Sequence, residues 1–291
     1  MHIIITGSLG NISKPLTQKL VQAEHAVTVI SSNQNKAEEI QVLGAKAAIG
    51  SLEDVDFLSS TFQGADVVYT MTPNNFGAAN QREYMAGVGK NYAQAIRKSG
   101  VKNVVNLSSI GADLPEGTGP IKGLYDVEKS LNGLENVNIK HLRAGYFYIN
   151  FYNDIPMIKN LGFMGSNFGA DTLVPLVYPA DIANEVAKQI EAGFEGKSVR
   201  YVYSDEQKAS AIAAILGKAV GKPELAWVQF ASDQALQGML QAGLPEPVAK
   251  NYVEMGEALG SGLLSKDFNL HKTEAGTTSF EVFSKEFAQK F

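Results

Sequence analysis

The chain of 291 residues has no cysteine, which excludes disulfides, thiolate metal sites and a thiol nucleophile. Histidine is scarce too, and the four present (His2, His25, His141 and His271) are too scattered to suggest a metal site; none is expected. Charged residues make up 19% against 45% hydrophobic, so long disordered tracts are not expected. There is no run of Lys or Arg, and the net charge of −5 argues against nucleic acid as a partner. No apolar stretch is long enough to span a bilayer, so no membrane partner is expected. The first strand pattern starts at residue 2 and leaves no room for a signal peptide, which makes the cytoplasm the expected location.

The most informative stretch lies at the N-terminus. Ile3, Ile4 and Ile5 form a β-branched run suited to the centre of a parallel sheet. Thr6-Gly7-Ser8-Leu9-Gly10-Asn11-Ile12 follows, with Gly7 and Gly10 permitting a sharp turn and a close approach of bare backbone to a diphosphate. A helix starting near Asn11 aims its free N–H groups and its dipole at the same anion. The helical pattern runs through Leu16, Leu20 and Val21, and the strand Ala26-Val27-Thr28-Val29-Ile30 completes a βαβ unit. Ser13 stands where the usual fingerprint has its third glycine, and is small enough for close helix–strand packing.

The first half continues to alternate. Strands are predicted at 2–6, 26–31, 45–49, 66–71, 102–107 and 137–143, and helices at 11–23, 35–43, 54–62, 79–99 and 122–134. Gly44, Gly64 and Gly100 punctuate the boundaries. Such alternation implies an α/β fold with a doubly wound parallel sheet, whose ligands lie beyond the carboxyl ends of the strands. After residue 150 the pattern changes. A loop-rich stretch at 153–171 is followed by a strand at 172–178, a helix at 180–192, a strand at 198–203, and helices at 206–220, 232–242, 246–259 and 279–289. The expected organisation is a nucleotide-binding domain over 1–152 and a smaller, mainly helical lobe over 153–291, with 172–203 returning to the core sheet.

The chain resembles the NmrA-like family, an atypical branch of the short-chain dehydrogenase/reductase superfamily. The resemblance rests on the N-terminal turn, Val105-Asn106-Leu107-Ser108-Ser109-Ile110-Gly111-Ala112, and Leu142-Arg143-Ala144-Gly145-Tyr146-Phe147-Tyr148-Ile149-Asn150. Tyr178-Pro179-Ala180-Asp181-Ile182-Ala183 and Thr277-Thr278-Ser279-Phe280-Glu281-Val282-Phe283 extend it. It implies a Rossmann-type domain binding NADP(H) or NAD(H), and either reduction of quinone-like or other small carbonyl acceptors or a redox-sensing regulatory role with a protein partner. Nucleotide-sugar epimerase or dehydratase chemistry is a further alternative.

For the dinucleotide, the expected contacts are Thr6, Gly7, Leu9, Gly10, Asn11 and Ile12 in the turn, and Met71, Thr72, Pro73 and Ser108 at later strand ends. After the second strand, Ser31, Ser32, Asn33 and Lys36 precede any carboxylate, so NADP is expected over NAD, which remains open. The family often has an arginine where Ser32 stands, and an aspartate after the glycine corresponding to Gly50. Tyr125 and Lys129, four apart, have the spacing of a catalytic Tyr/Lys pair in which lysine lowers the phenol's pKa. The resemblance instead puts Leu124 in the lysine position and Pro120 in the tyrosine position, leaving Tyr125 and Lys129 about 100° further round the helix. Asn74, Phe76, Ser109, Tyr146, Phe147 and Asn150 are the expected substrate contacts, and their aromatics suit a flat, apolar small molecule. His141 reads as a core histidine, Asp181 as a first-turn helix residue, and Arg143 as either a phosphate contact or an inter-lobe ion pair.

Overall fold

A computed structural model describes all 291 residues. Its strands are β1 (His2–Ile5), β2 (Ala26–Ser31), β3 (Lys46–Ile49), β4 (Val67–Thr70), β5 (Asn103–Ser109), β6 (Asn138–Ala144), β7 (Tyr146–Phe147), β8 (Phe163–Ser166), β9 (Leu173–Val177), β10 (Lys197–Val202), β11 (Asp205–Lys208) and β12 (Ala226–Gln229). The helices are α1 (Ser13–Gln22), α2 (Ala37–Val42), α3 (Val55–Phe62), α4 (Gln81–Ser99), α5 (Lys122–Asn132), α6 (Ile155–Leu161), α7 (Pro179–Ala192), α8 (Ala209–Ala219), α9 (Ser232–Gln241), α10 (Glu246–Gly260), α11 (Lys266–Leu270) and α12 (Phe280–Lys290).

Seven strands form one parallel sheet in the order β10-β6-β5-β4-β1-β2-β3. Side chains on a strand alternate between faces, and β1 shows what that does here. Ile3 and Ile5 join the core beneath α1 and α7, with Leu16, Leu20, Ile182 and Val186. Ile4 joins the opposite core, with Leu58, Phe62, Val88, Tyr92 and Leu131 from α3, α4 and α5. Burial on both faces explains why the run is continuously apolar instead of alternating. Chain order reverses between β1 and β4, so the crevice for a ligand opens beyond Ile5 and Thr70. The architecture is a Rossmann-type α/β fold with a mainly helical C-terminal part.

A third core belongs to that C-terminal part. Tyr148, Phe151, Phe268, Phe280, Phe283 and Phe287 pack there with Ile212 and Leu216 of α8. The strands within 172–203 go to different sheets. β10 completes the central sheet beside β6, whereas β9 lies in a separate three-stranded sheet with β7 and β11. Pro175 shows why β9 suits that place: it pairs with Glu206 on one side, while β7 reaches only Leu176 and Val177 on the other. The helix expected at 206–220 begins instead at Ala209, after β11. No helix is long and apolar enough to cross a membrane.

Candidate functional site

The crevice is built first by the turn after β1. The Thr6 amide donates to the Tyr69 carbonyl, the Met71 amide donates to Thr6 Oγ1 at 2.8 Å, and the Tyr92 hydroxyl donates to the Met71 carbonyl at 2.7 Å. These bonds fix the ends of β1 and β4 against each other. Gly7 then adopts φ +88°, followed by Ser8 at φ +54°. A Cβ at Gly7 would lie 2.7 Å from Ser13 Oγ and 2.8 Å from Met71 Cγ, so the position is closed to other residues by both conformation and space. Ser13 donates its hydroxyl to the Thr6 carbonyl at 2.8 Å and pins the start of α1 to β1. The residue in the third-glycine position is thus a tether as well as a small side chain.

This geometry leaves the amides of Leu9, Asn11, Ile12 and Ser13 without protein acceptors. Helix α1 has no side-chain cap and no acidic residue in its first turn. Gly10 is exposed, and a Cβ there would sit only 3.1 Å from the Gly7 carbonyl. A glycine-lined turn presenting free N–H groups at a helix N-terminus fits a dinucleotide's diphosphate. Thr72, just past β4, adds a buried hydroxyl with no partner, available to the same ligand. Pro73 follows it, half-buried.

At the end of β2 the structure redistributes the expected roles. The Ser31 hydroxyl is buried, accepting from Ser8 Oγ at 2.9 Å and from the Asn33 amide at 3.1 Å. It is spent on the turn, not free for a ribose phosphate. Ser32 and Asn33 are exposed, and Asn33 Oδ1 caps the next turn through the Asn35 amide. Lys36 pairs with Glu39 at 2.8 Å, and Lys14 of α1 reaches the same carboxylate at 3.0 Å. The two lysines hold the Glu39 carboxyl below the usual glutamate range. Lys14 and Glu39 were missed in the sequence because only the fold brings α1 and α2 together.

Ser108 is a similar case. Its hydroxyl is buried and donates to Glu128 Oε1 at 2.5 Å, facing α5 and not the crevice. Glu128 also takes a two-pronged bond from Arg143, Nε to Oε1 at 3.0 Å and Nη2 to Oε2 at 2.8 Å. Burial opposes the Arg143 charge, but Glu128 outweighs it and keeps the guanidinium protonated. Arg143 also bonds the Tyr201 hydroxyl and Asp267 of α11, so it is an inter-lobe ion pair and does not wait for a phosphate. His141 lies buried between Asn106 and Asn132. Asp181 accepts from Ser204 and from Thr278, tying α7 to the C-terminal segment.

Helix α5 puts Tyr125 and Lys129 away from the crevice. Gly123 abuts Met85 and Val127 abuts Gly89 of α4, Leu124 packs into the C-terminal core, and Glu128 faces β5 and β6. Tyr125 and the exposed Lys129 instead line a cavity of about 490 Å³ with Asp113, Asn132 and Arg143. Nothing from the β1 turn or the β4 exit contributes to it.

The expected substrate contacts divide. Phe76, half exposed, approaches Tyr252 of α10 with ring centroids 6.5 Å apart. Tyr146 packs on Phe151 at 5.2 Å, and its phenol pKa is raised by burial and then by Asp154 and Tyr252. Phe147 leans on the core under α7, Ser109 bonds the neighbouring Ile110 carbonyl, and Asn74 accepts from Gln81 at 3.1 Å. Asn150 is half-buried in the turn after β7. The structure therefore brings Phe76 beside Tyr252, a residue with no signal in the sequence, and sets Tyr146 on Phe151.

Comparison with known proteins agrees with this geometry. Residues 7–132 match a family model described as NAD(P)H-binding. An NAD(P)H azoreductase of Xenophilus azovorans is 24% identical over 250 residues, covering 85% of this chain and 83% of the relative. Two solved structures share the fold end to end. A Citrobacter sp. triphenylmethane reductase superposes with a TM-score of 0.81 at 20% identity, covering all of both chains. An NADPH-dependent quinone oxidoreductase of Escherichia coli, solved with NADPH, gives 0.77 at 22% identity, covering 98% of this chain and 99% of that one.

Proposed function

We propose that this chain is an NADPH-dependent oxidoreductase of the NmrA-like type, transferring hydride to a flat, conjugated acceptor such as a quinone. The observation that carries this reading is the set of four free amides at Leu9, Asn11, Ile12 and Ser13, set at the point where strand order reverses. The match of residues 7–132 to the NAD(P)H-binding model and the azoreductase relative support it.

In this reading the turn from Thr6 to Ser13 receives the diphosphate. Ser32, Asn33, Lys36 and Lys14 surround the adenosine ribose, where two cations against the one Glu39 carboxylate favour a 2′-phosphate. Met71, Thr72 and Pro73 line the path toward the reacting ring. The bound dinucleotide supplies the hydride, and the protein's task is to fix its distance and angle to the acceptor. Residues 153–291, apart from β10, cover the acceptor, with Phe76, Tyr146 and Tyr252 providing apolar faces and excluding water. The reading needs no Tyr125/Lys129 pair. That displacement also favours a second reading, a dinucleotide sensor without turnover.

Following NADPH oxidation by the purified chain with a 1,4-naphthoquinone separates the two. Sustained turnover is expected. Tight NADPH binding with no turnover on any quinone or azo acceptor would favour the sensor and overturn the reductase.

A further inference from the structure

We propose that the turn after β3, Gly50-Ser51-Leu52, receives the purine of the dinucleotide and holds it through amides and a hydroxyl instead of a carboxylate. The chain then takes the hypoxanthine form of the dinucleotide as readily as the adenine form. This rests on the dinucleotide reading above and extends it to the chemistry of the base.

A run of hydrogen bonds leads from the diphosphate turn to this place. The Ser8 amide donates to the Ile30 carbonyl at 3.0 Å and the Ser8 hydroxyl to Ser31 Oγ at 2.9 Å, so the turn after β1 grips the end of β2. The Gly50 amide donates in turn to the Ser31 carbonyl at 3.0 Å, which sets the exit of β3 beside the exit of β2. In this class of fold the diphosphate lies at the β1 turn and the adenosine ribose at the end of β2. A base continuing in that direction reaches the β3 exit. The turn there is held in place, because Asn91 of α4 donates its side-chain amide to the Leu52 carbonyl at 3.1 Å. A Cβ at Gly50 would lie 2.6 Å from three carbons of the Phe57 ring, so the ring packs directly on the glycine. Phe57 and Leu52 are only partly buried, and their remaining apolar surface suits the face of a flat base.

The free groups of the turn decide which base it takes. The amides of Ser51 and Leu52 have no protein acceptor. Ser51 Oγ accepts from the Glu53 amide at 3.1 Å, and its own proton goes to no protein atom. The carboxylates nearby are mostly occupied. Asp54 caps α3 by accepting from the Asp56 and Phe57 amides at 3.0 and 2.9 Å, Asp56 pairs with Lys98 at 2.9 Å, and Glu39 is held by Lys14 and Lys36. Glu53 is exposed and lies near Tyr84 of α4, whose phenol pKa is raised by burial and then by that charge. Adenine's outer edge offers an amine donor and a ring-nitrogen acceptor, whereas hypoxanthine offers a carbonyl acceptor and an N–H donor. A carboxylate would accept from the amine and repel the carbonyl. Amides and a hydroxyl answer both edges, because the amide donates to whichever acceptor is present and the hydroxyl both donates and accepts.

The test titrates wild type and Ser51→Asp calorimetrically with NADPH and with its analogue in which hypoxanthine replaces adenine. Wild type should bind the two with Kd values within about threefold of each other. Ser51 is exposed, so the new carboxylate fits without repacking, and Ser51→Asp should prefer the adenine form by about tenfold or more. A wild-type preference for adenine beyond about threefold overturns the proposal, whether or not the variant folds. Loss of that preference in Glu53→Gln would then make Glu53 the group that reads the amine. An unchanged ratio in Ser51→Asp also overturns the proposal, since the base would then lie away from the turn. If wild type binds neither nucleotide, the dinucleotide reading itself falls and this inference with it.

Discussion

In the proposed function, Glu39 sets how strongly the chain prefers a phosphorylated dinucleotide. Its carboxylate takes both Lys14 at 3.0 Å and Lys36 at 2.8 Å beside the end of β2. Pairs this exposed are individually weak, so an incoming dianionic phosphate can draw both lysines away at little cost. Glu39→Gln should therefore lower the KM for NADPH about threefold, and Lys14→Ala with Lys36→Ala should raise it about tenfold. NADH should change little in either variant, and both effects should shrink as salt is added. Equal effects on the two nucleotides would place the lysines elsewhere than at the 2′-phosphate. Of this cluster only Lys36 was legible in the sequence, from its position after β2. The Lys14–Glu39 contact joins residues 25 positions apart, from α1 and α2, which no local pattern encodes.

Helical phase governs the elements around the crevice, and α5 shows it most clearly. Gly123, Val127 and Glu128 are fixed by α4, β5 and β6, which turns Tyr125 and Lys129 toward the Asp113–Arg143 cavity. Tyr125→Phe and Lys129→Ala should each leave kcat/KM with NADPH and quinone within about twofold of wild type. A loss of a hundredfold or more would mean that the helix presents these residues to the reacting ring. The register read from the sequence rests on the same residue, Glu128, which the structure buries against Ser108 and Arg143. β1, β2, β4 and β5 were legible for a related reason, their β-branched residues being buried between two helix layers. The short strands β7, β8, β11 and β12 were not legible. They are two to four residues long, and β8 pairs only with β12 some sixty residues away, so tertiary contact and not propensity makes them.

At the scale of the molecule, two of the three cores belong to the sheet and the third to the part that covers its strand ends. The Arg143–Glu128–Asp267 ion pairs and the Asp181–Thr278 bonds tie that part to the sheet away from the Gly7–Gly10 turn. In the proposed function the crevice is framed on one side by the backbone amides of the turn and on the other by Phe76, Tyr146 and Tyr252. The glycines of the turn are legible in the sequence, whereas the approach of Tyr252 to Phe76 is not, because it joins α10 to the loop after β4 through the fold alone. The measurement that bears most directly on the whole account is calorimetric titration of the folded chain with NADPH and NADH. One dinucleotide should bind per chain, NADPH more tightly, and saturation at about 100 times Kd should stabilise the fold by about 2.7 kcal/mol. Absence of binding by either nucleotide to correctly folded protein would contradict the central claim that the turn from Thr6 to Ser13 holds a pyridine dinucleotide.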